Sequence, residues 1–302
     1  MDTPATLQET AAIHYWNRKE ARQEEEAVYG ENWIRWIYGT FPGQKLADHL
    51  LSRKFLSQLY GKYQSSQLSQ HKIAPFIQEF KIPMEEFEKQ TYQNFNEFFI
   101  RKFKPEARTF TAISQEFPAF CEARYLAYEQ VHETQTFPVK GQYLSPAALL
   151  GDVTRARPFE GGPLLLARLC PTDYHRFHFP DEGRILETYS IPGSLQSVNP
   201  LALKYKNEIF VTNERQVSII ETKNFGKLAY IEVGALCVGK IVQTHTASSF
   251  KRGEEKGYFL FGGSTVIVLG EKGMWKPDAD LLQKTQQNQE TLVQLGERIG
   301  SR

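Results

Sequence analysis

The rhythm of hydrophobic and polar positions changes part-way along the chain. Through roughly the first hundred residues the apolar side chains recur at helical spacing, as in Ala47, Leu50, Leu51, Phe55, Leu56 and Leu59. Residues 1–30 are charged and helix-prone, and Arg22-Gln23-Glu24-Glu25-Glu26 reads as a solvated face. Asn32–Tyr38 is aromatic and partly amphipathic. A further helix is predicted over PMEEFEKQTYQNFNEFFIRKF, with Pro83 in its first turn and Phe95, Phe98 and Phe99 on its apolar side. From about residue 115 the texture becomes short strands with frequent turns. The candidates are 124–130, 164–169, 182–190, 208–212, 216–222, 228–233, 238–244 and two halves around 258–269, with turns at Asn213-Glu214-Arg215 and Asn224-Phe225-Gly226. Asp278–Gly296 is polar, carries Leu281, Leu282, Leu292 and Leu295, and predicts a terminal helix. The fold class is α+β: an N-terminal helical region, a mostly antiparallel β core, and a short C-terminal helix.

Two places break the strand pattern. In KGYFLFGGSTVIVLG, residues 256–270, Gly262-Gly263-Ser264-Thr265 interrupts two runs of strand formers, which by itself indicates a bulge or tight turn. In VGALCVGK, residues 233–240, glycines sit inside a strand-like run; they mark a sheet corner or the close approach of a ligand or another backbone.

Composition narrows the classes. The chain has 302 residues, 41% hydrophobic and 24% charged, with a net charge of +1 and no lysine- or arginine-rich block, so nothing argues for nucleic acid. Cys121, Cys170 and Cys237 are too few and too scattered for a disulfide framework and fit a reducing compartment. The first thirty residues lack the continuous apolar segment of a signal peptide, and no window approaches the ~18–20 apolar residues of a membrane span. Any membrane contact is therefore expected to be peripheral, through the aromatic residues 31–60.

The densest cluster of chemistry is Pro171-Thr172-Asp173-Tyr174-His175-Arg176-Phe177-His178-Phe179-Pro180. Its H-x-x-H pair admits three readings: a metal site, acid–base machinery, or structural histidines in a turn. Zinc usually takes three or four protein ligands, and no third ligand at a convincing spacing accompanies the pair. Histidine titrates near neutral pH, which suits proton transfer.

Taken together, YHRFHFP (174–180), IEVGA (231–235), KGYFLFGGST (256–265), NFNEFFIRKFKPEAR (94–108) and GSLQSVNP (193–200) resemble the phosphatidylserine decarboxylase family, in the family's order over roughly residues 85–275. The resemblance implies a helical, membrane-contacting region over 1–90 and a catalytic domain over 91–302. It implies that the chain cuts itself between Gly263 and Ser264, giving a large chain 1–263 and a small chain 264–302. The Ser264 hydroxyl attacks the Gly263 carbonyl, and β-elimination of the resulting ester leaves a residue that hydrolyses to a covalent pyruvoyl group, the only cofactor. The resemblance gives His178 the role of base in self-cleavage, with an acidic residue orienting it, and His175 that of assisting decarboxylation and proton delivery. The substrate implied is phosphatidylserine in a membrane surface, joined to the pyruvoyl group as a Schiff base and released as phosphatidylethanolamine. A homodimer of cut units, peripheral on the cytoplasmic side and without a metal, completes the expectation.

The sequence departs from the family at one of these positions. Where the family has aspartate followed by glycine, this chain has Glu122-Ala123, in Phe117-Pro118-Ala119-Phe120-Cys121-Glu122-Ala123-Arg124. A glutamate is one methylene longer and must retract or shift to orient His178, in chemistry sensitive at about the 1 Å level. The survival of Ser264, His175 and His178 favours an active, self-cleaving enzyme. The alternatives are an uncleaved lipid- or partner-binding relative, a pyruvoyl decarboxylase of another amine acid and, last, a metal-dependent hydrolase.

Overall fold

The computed structural model describes residues 12–30, 36, 37, 40, 43, 54–132, 145–198, 200, 203, 208–235, 240–262 and 264–302, with only the backbone for 54–58. Among these, a ten-stranded sheet runs through the centre of the molecule. Its spatial order is Ser249–Phe250, Gly183–Ile191, Arg215–Thr222, Gly226–Val233, Ser264–Gly270, Leu164–Leu169, Ala123–Tyr128, Glu290–Val293, His14–Asn17 and Arg22–Glu25. Every pairing is antiparallel except that of His14–Asn17 with Glu290–Val293. The α+β class is the one read from the sequence.

Burial explains the order of the strands. Ser264–Gly270, Leu164–Leu169 and Ala123–Tyr128 are buried at every position, as expected of strands covered on both faces. Gly183–Ile191 lies near the edge and alternates half-buried with exposed residues. At the Asn224-Phe225-Gly226 turn, Gly226 takes φ +69, which favours glycine, and a Cβ there would displace the Glu271 carboxylate, 2.6 Å away.

A second core, rich in aromatic residues, packs beside the sheet. It gathers Phe76, Phe87, Tyr92, Phe95, Phe98 and Phe99 from the helical part of the chain. Tyr174, Phe261 and Leu295 reach into it from the β part. Residues next to the H-x-x-H pair and the GGST break therefore lie at the seam between the two cores.

Several local expectations change. The charged segment before residue 30 forms a hairpin, His14–Asn17 with Arg22–Glu25, because it extends the sheet edge and so satisfies its backbone there. Glu26 is buried rather than solvated, paired with Arg124 and Arg168. The single helix predicted over 83–103 is a 3₁₀ turn, Met84–Glu86, and a short helix, Phe95–Phe99. Asn94 caps the second piece by accepting the Glu97 N–H, and the Phe87–Phe103 bridge prevents one continuous helix. Residues 209–212 form a helical turn instead of a strand. The terminal helix stops at Gln286, and Leu292 lies in the strand Glu290–Val293. The apolar positions 47, 50 and 51, most of Asn32–Tyr38, Cys237 and the interior of VGALCVGK lie outside the described residues. Among the described residues no helix is long and apolar enough to cross a membrane.

Ile267 sits fully buried at the middle of a fully enclosed strand, paired with Leu166 on one side and Ile231 on the other. Replacing it by alanine is expected to lower the unfolding free energy by about 2–5 kcal/mol. Urea unfolding of the Ser264→Ala chain, with and without Ile267→Ala, measures the difference.

Candidate active site

Ser264 is the first residue of its strand, and both it and the Leu169 it pairs with are buried. The bend before it is made by Gly262, whose φ of +144 lies in the region that favours glycine. The Asn96 side chain holds this approach by accepting the Phe261 N–H at 2.8 Å. Gly263, the expected cleavage partner, lies outside the described residues.

His175 comes to Ser264 from the segment that follows the neighbouring strand, Leu164–Leu169. After Leu169 the chain turns through Cys170–Asp173, with the Asp173 N–H bonded to the Cys170 carbonyl at 2.9 Å. The Asp173 carboxylate accepts the Cys170 N–H at 2.7 Å, which closes the turn from the other side. The Cys170 carbonyl also lies 2.8 Å from His175 Nε2, and Ser264 Oγ lies 3.3 Å from His175 Nδ1. A carbonyl only accepts, so Nε2 carries the proton and Nδ1 presents its lone pair to the serine hydroxyl. Phe99 stacks on the imidazole at 3.8 Å between centroids. Burial pushes the His175 pKa down to about 3; the Cys170 carbonyl opposes this and the Arg101 charge adds to it. The ring is therefore a neutral acceptor at physiological pH.

His178 has different neighbours. Its Nδ1 donates to the Gly253 carbonyl at 3.0 Å, and its Nε2 lies 3.5 Å from the Tyr174 hydroxyl. Its pKa is also lowered, first by burial. Glu122 is held by Arg108 through two bonds, Nε to Oε2 at 2.5 Å and Nη2 to Oε1 at 2.7 Å, and accepts the Leu295 N–H at 3.2 Å. Burial pushes its carboxyl up, against the pull of Arg108. Of the expected residues, then, Ser264 and His175 meet directly. The hydrogen bonds of His178 and Glu122 go elsewhere, and neither bonds to the other.

The stretch NFNEFFIRKFKPEAR proves to be the wrapping of this site. Asn94 caps its helix, Asn96 holds Phe261, Phe99 covers His175, and Arg108 grips Glu122. Arg101, fully buried, donates to the carbonyls of Thr172 and Asp173 at 2.8 and 3.1 Å and lies against the rings of Phe87 and Phe98. The sequence marks this stretch as a motif and Phe99 as an apolar helix position, but it gives no role at the site to Phe99, Arg101 or Arg108, because their partners lie far along the chain. An arginine inside a phenylalanine-rich run was the available signal, since a buried guanidinium needs partners. Among the described residues no group of three histidine, cysteine, aspartate or glutamate side chains is placed to hold a metal ion.

A buried serine facing a neutral imidazole, beside a glycine bend, is an arrangement in which the hydroxyl can give up its proton and attack a neighbouring carbonyl. Residues 95–301 match the family model for phosphatidylserine decarboxylase. The phosphatidylserine decarboxylase proenzyme of Clostridium novyi (strain NT) is 41% identical over 293 residues, covering 96% of this chain and 99% of that protein. The proenzyme of Clostridium perfringens (strain ATCC 13124) is also 41% identical, over 96% of this chain and 100% of its own. That of Clostridium botulinum (strain Hall) is 40% identical over 95% and 99%. The chain belongs to the phosphatidylserine decarboxylase family, and it is an enzyme of the decarboxylase class.

The depressed pKa of His175 makes stability depend on pH. Below about 6.5 the unfolded chain takes up a proton on this histidine and the folded chain does not until about pH 3, so the stability is present above 6.5 and is lost as pH falls through that window. Between pH 6.5 and 5 the Ser264→Ala chain is expected to lose stability from His175 with a slope that steepens from about 0.7 to about 1.4 kcal/mol per pH unit. Adding His175→Gln should flatten the slope by about one proton, as read from urea unfolding at several pH values.

Proposed function

We propose that the chain is made as a proenzyme that cuts itself between Gly263 and Ser264, and that the cut enzyme decarboxylates phosphatidylserine to phosphatidylethanolamine at a membrane surface. The observation that carries this reading is the hydrogen bond between the buried Ser264 hydroxyl and the unprotonated nitrogen of His175. The proenzyme names of relatives matched along nearly the whole chain support it.

In the first step Ser264 Oγ bonds to the Gly263 carbonyl carbon, its proton leaves to a neighbouring base, and the amide C–N bond breaks to give an ester and a free amine. Loss of the Ser264 α-proton then breaks the Cβ–Oγ bond, releasing the Gly263 carboxylate. Water converts the remaining enamine to a pyruvoyl group and ammonia. The residues around position 264 suit such a group: Ser264 is buried, Phe99 stacks on the His175 ring and packs edge-on against Phe261, and His175 Nδ1 faces position 264 with a lone pair. The pyruvoyl carbonyl supplies an electrophile for a substrate amine and a sink for the electrons left as CO₂ departs.

His175 then holds or returns a proton at position 264, in a setting where burial keeps it neutral. The family resemblance assigns the base of self-cleavage to His178, oriented by Glu122. That assignment asks Glu122 to exchange part of its Arg108 pairing for His178 as the cut is made. The 3.3 Å contact favours a second reading, in which His175 itself takes the serine proton in the uncut chain.

Intact-mass measurement of the purified chain tests the first proposal. Two chains are expected, 1–263 and one beginning at a modified residue 264, while Ser264→Ala stays whole; a wild-type chain still full-length after prolonged incubation sinks the reading. In the same assay an uncut His178→Ala beside a normally cut His175→Ala supports the first assignment, and the reverse supports the second. Phosphatidylserine vesicles compared with free serine fix the substrate, with CO₂ release expected from the vesicles.

A further inference from the structure

We propose that Asp173, clamped by Arg124, is a positioning residue that sets the tautomer and aim of His175 through the Cys170 carbonyl. The proposal rests on the reading that position 264 is where the chemistry happens.

The geometry forms a short relay. Arg124 Nη1 donates to both oxygens of Asp173, at 2.9 and 2.6 Å. One of those oxygens, Oδ2, also accepts the Cys170 N–H. Asp173 therefore fixes the plane of the turn in which Cys170 presents its carbonyl to His175 Nε2. Arg101 holds the same turn from the other side, through the Thr172 and Asp173 carbonyls. The turn is thus held between two buried arginines that reach it from different parts of the fold. Arg124 is fixed in turn by Glu26, at 3.1 Å, and lies over the Tyr15 ring.

An imidazole can carry its single neutral-state proton on either nitrogen, and the acceptor on one side decides which. The Cys170 carbonyl holds the proton on Nε2 and so leaves Nδ1 free toward position 264. If the turn relaxes, that acceptor moves, the proton divides between the two nitrogens, and a fraction of the molecules present an N–H where a lone pair is required. Asp173→Asn preserves shape but removes the charge that holds Arg124. Arg124→Lys preserves charge but replaces the planar guanidinium by a point charge.

The tautomer can be read directly by ¹⁵N NMR of the Ser264→Ala chain labelled at histidine. His175 should show a protonated Nε2 and a bare Nδ1 that does not titrate between pH 8 and 5. Adding Asp173→Asn should give a mixture of the two tautomers. In the cut enzyme Asp173→Asn should lower kcat on phosphatidylserine in mixed micelles by about 10- to 100-fold, with KM changed by less than about two-fold, and Asp173→Glu should restore part of the loss. A folded Asp173→Asn chain whose His175 keeps the Nε2–H tautomer overturns the proposal, whether or not turnover falls. If Asp173→Asn does not fold, Arg124→Lys is read in the same two ways; failure of both to fold would make the network a matter of stability alone and also overturn the proposal. The NMR readout requires no self-cleavage, so a chain that never cuts itself overturns the reading of position 264 while the tautomer is still tested.

Discussion

Two arginines stand side by side in the interior of the sheet, and much of the molecule is arranged around them. Arg124 and Arg168 are direct partners in register on adjacent strands, and both are buried. Like charges directly opposite each other repel, and an unpaired buried charge costs far more than a pair. Three carboxylates from three other places resolve this. Glu26 reaches both arginines from the end of the N-terminal hairpin, Asp173 takes Arg124, and Glu290 takes Arg168. The hairpin, the strand Glu290–Val293 and the histidine segment must therefore all be in place before the sheet interior is electrically satisfied. This coupling ties the first residues of the described chain to the last strands, and both to the site.

The site gains order from that arrangement. The sheet supplies Ser264 on an enclosed strand, and the aromatic core supplies Phe99 and the Asn96 contact that steadies the approach to Gly262. The turn holding Cys170 and Asp173 joins the two. Ser264 is buried there, and its hydroxyl faces Nδ1 of the His175 imidazole. Burial makes that nitrogen a poor base in the thermodynamic sense, yet it also keeps it free of a proton across the physiological range. For the self-cleavage proposed above, a reaction that would happen once per molecule, a weak base suffices if the geometry is held.

Glu122 gives the clearest contrast between motif and structure. Its extra methylene and the neighbouring Arg108 produce a two-bond ion pair in the uncut chain, away from His178. The hydrogen bonds of this carboxylate go to Arg108 and the Leu295 N–H. Motif reading had identified the position and the change of residue type, but ion pairing is decided by whatever cation lies nearest in space.

Much of the fold was legible because burial leaves a mark on composition. Leu164–Leu169 was read with its own boundaries, and Gly183–Ile191, Arg215–Thr222 and Gly226–Val233 to within two residues at either end. The early hairpin was not legible: its residues are charged, and they become strand through pairing with a segment more than two hundred residues away. The break over residues 87–94 hides for a similar reason, since one asparagine cap outweighs an apolar periodicity. Family membership was legible in residue order alone, and the same motifs mark Ser264, His175 and His178 as candidates, because chemistry needs particular residue types at particular spacings. Only the tertiary structure decided that His175 faces the serine, that Arg108 holds Glu122, and that Asp173 and Arg124 stand behind the imidazole. Those are facts about distance and desolvation between segments far apart in the chain, and a one-dimensional sequence states which groups exist without stating which of them meet in the absence of water.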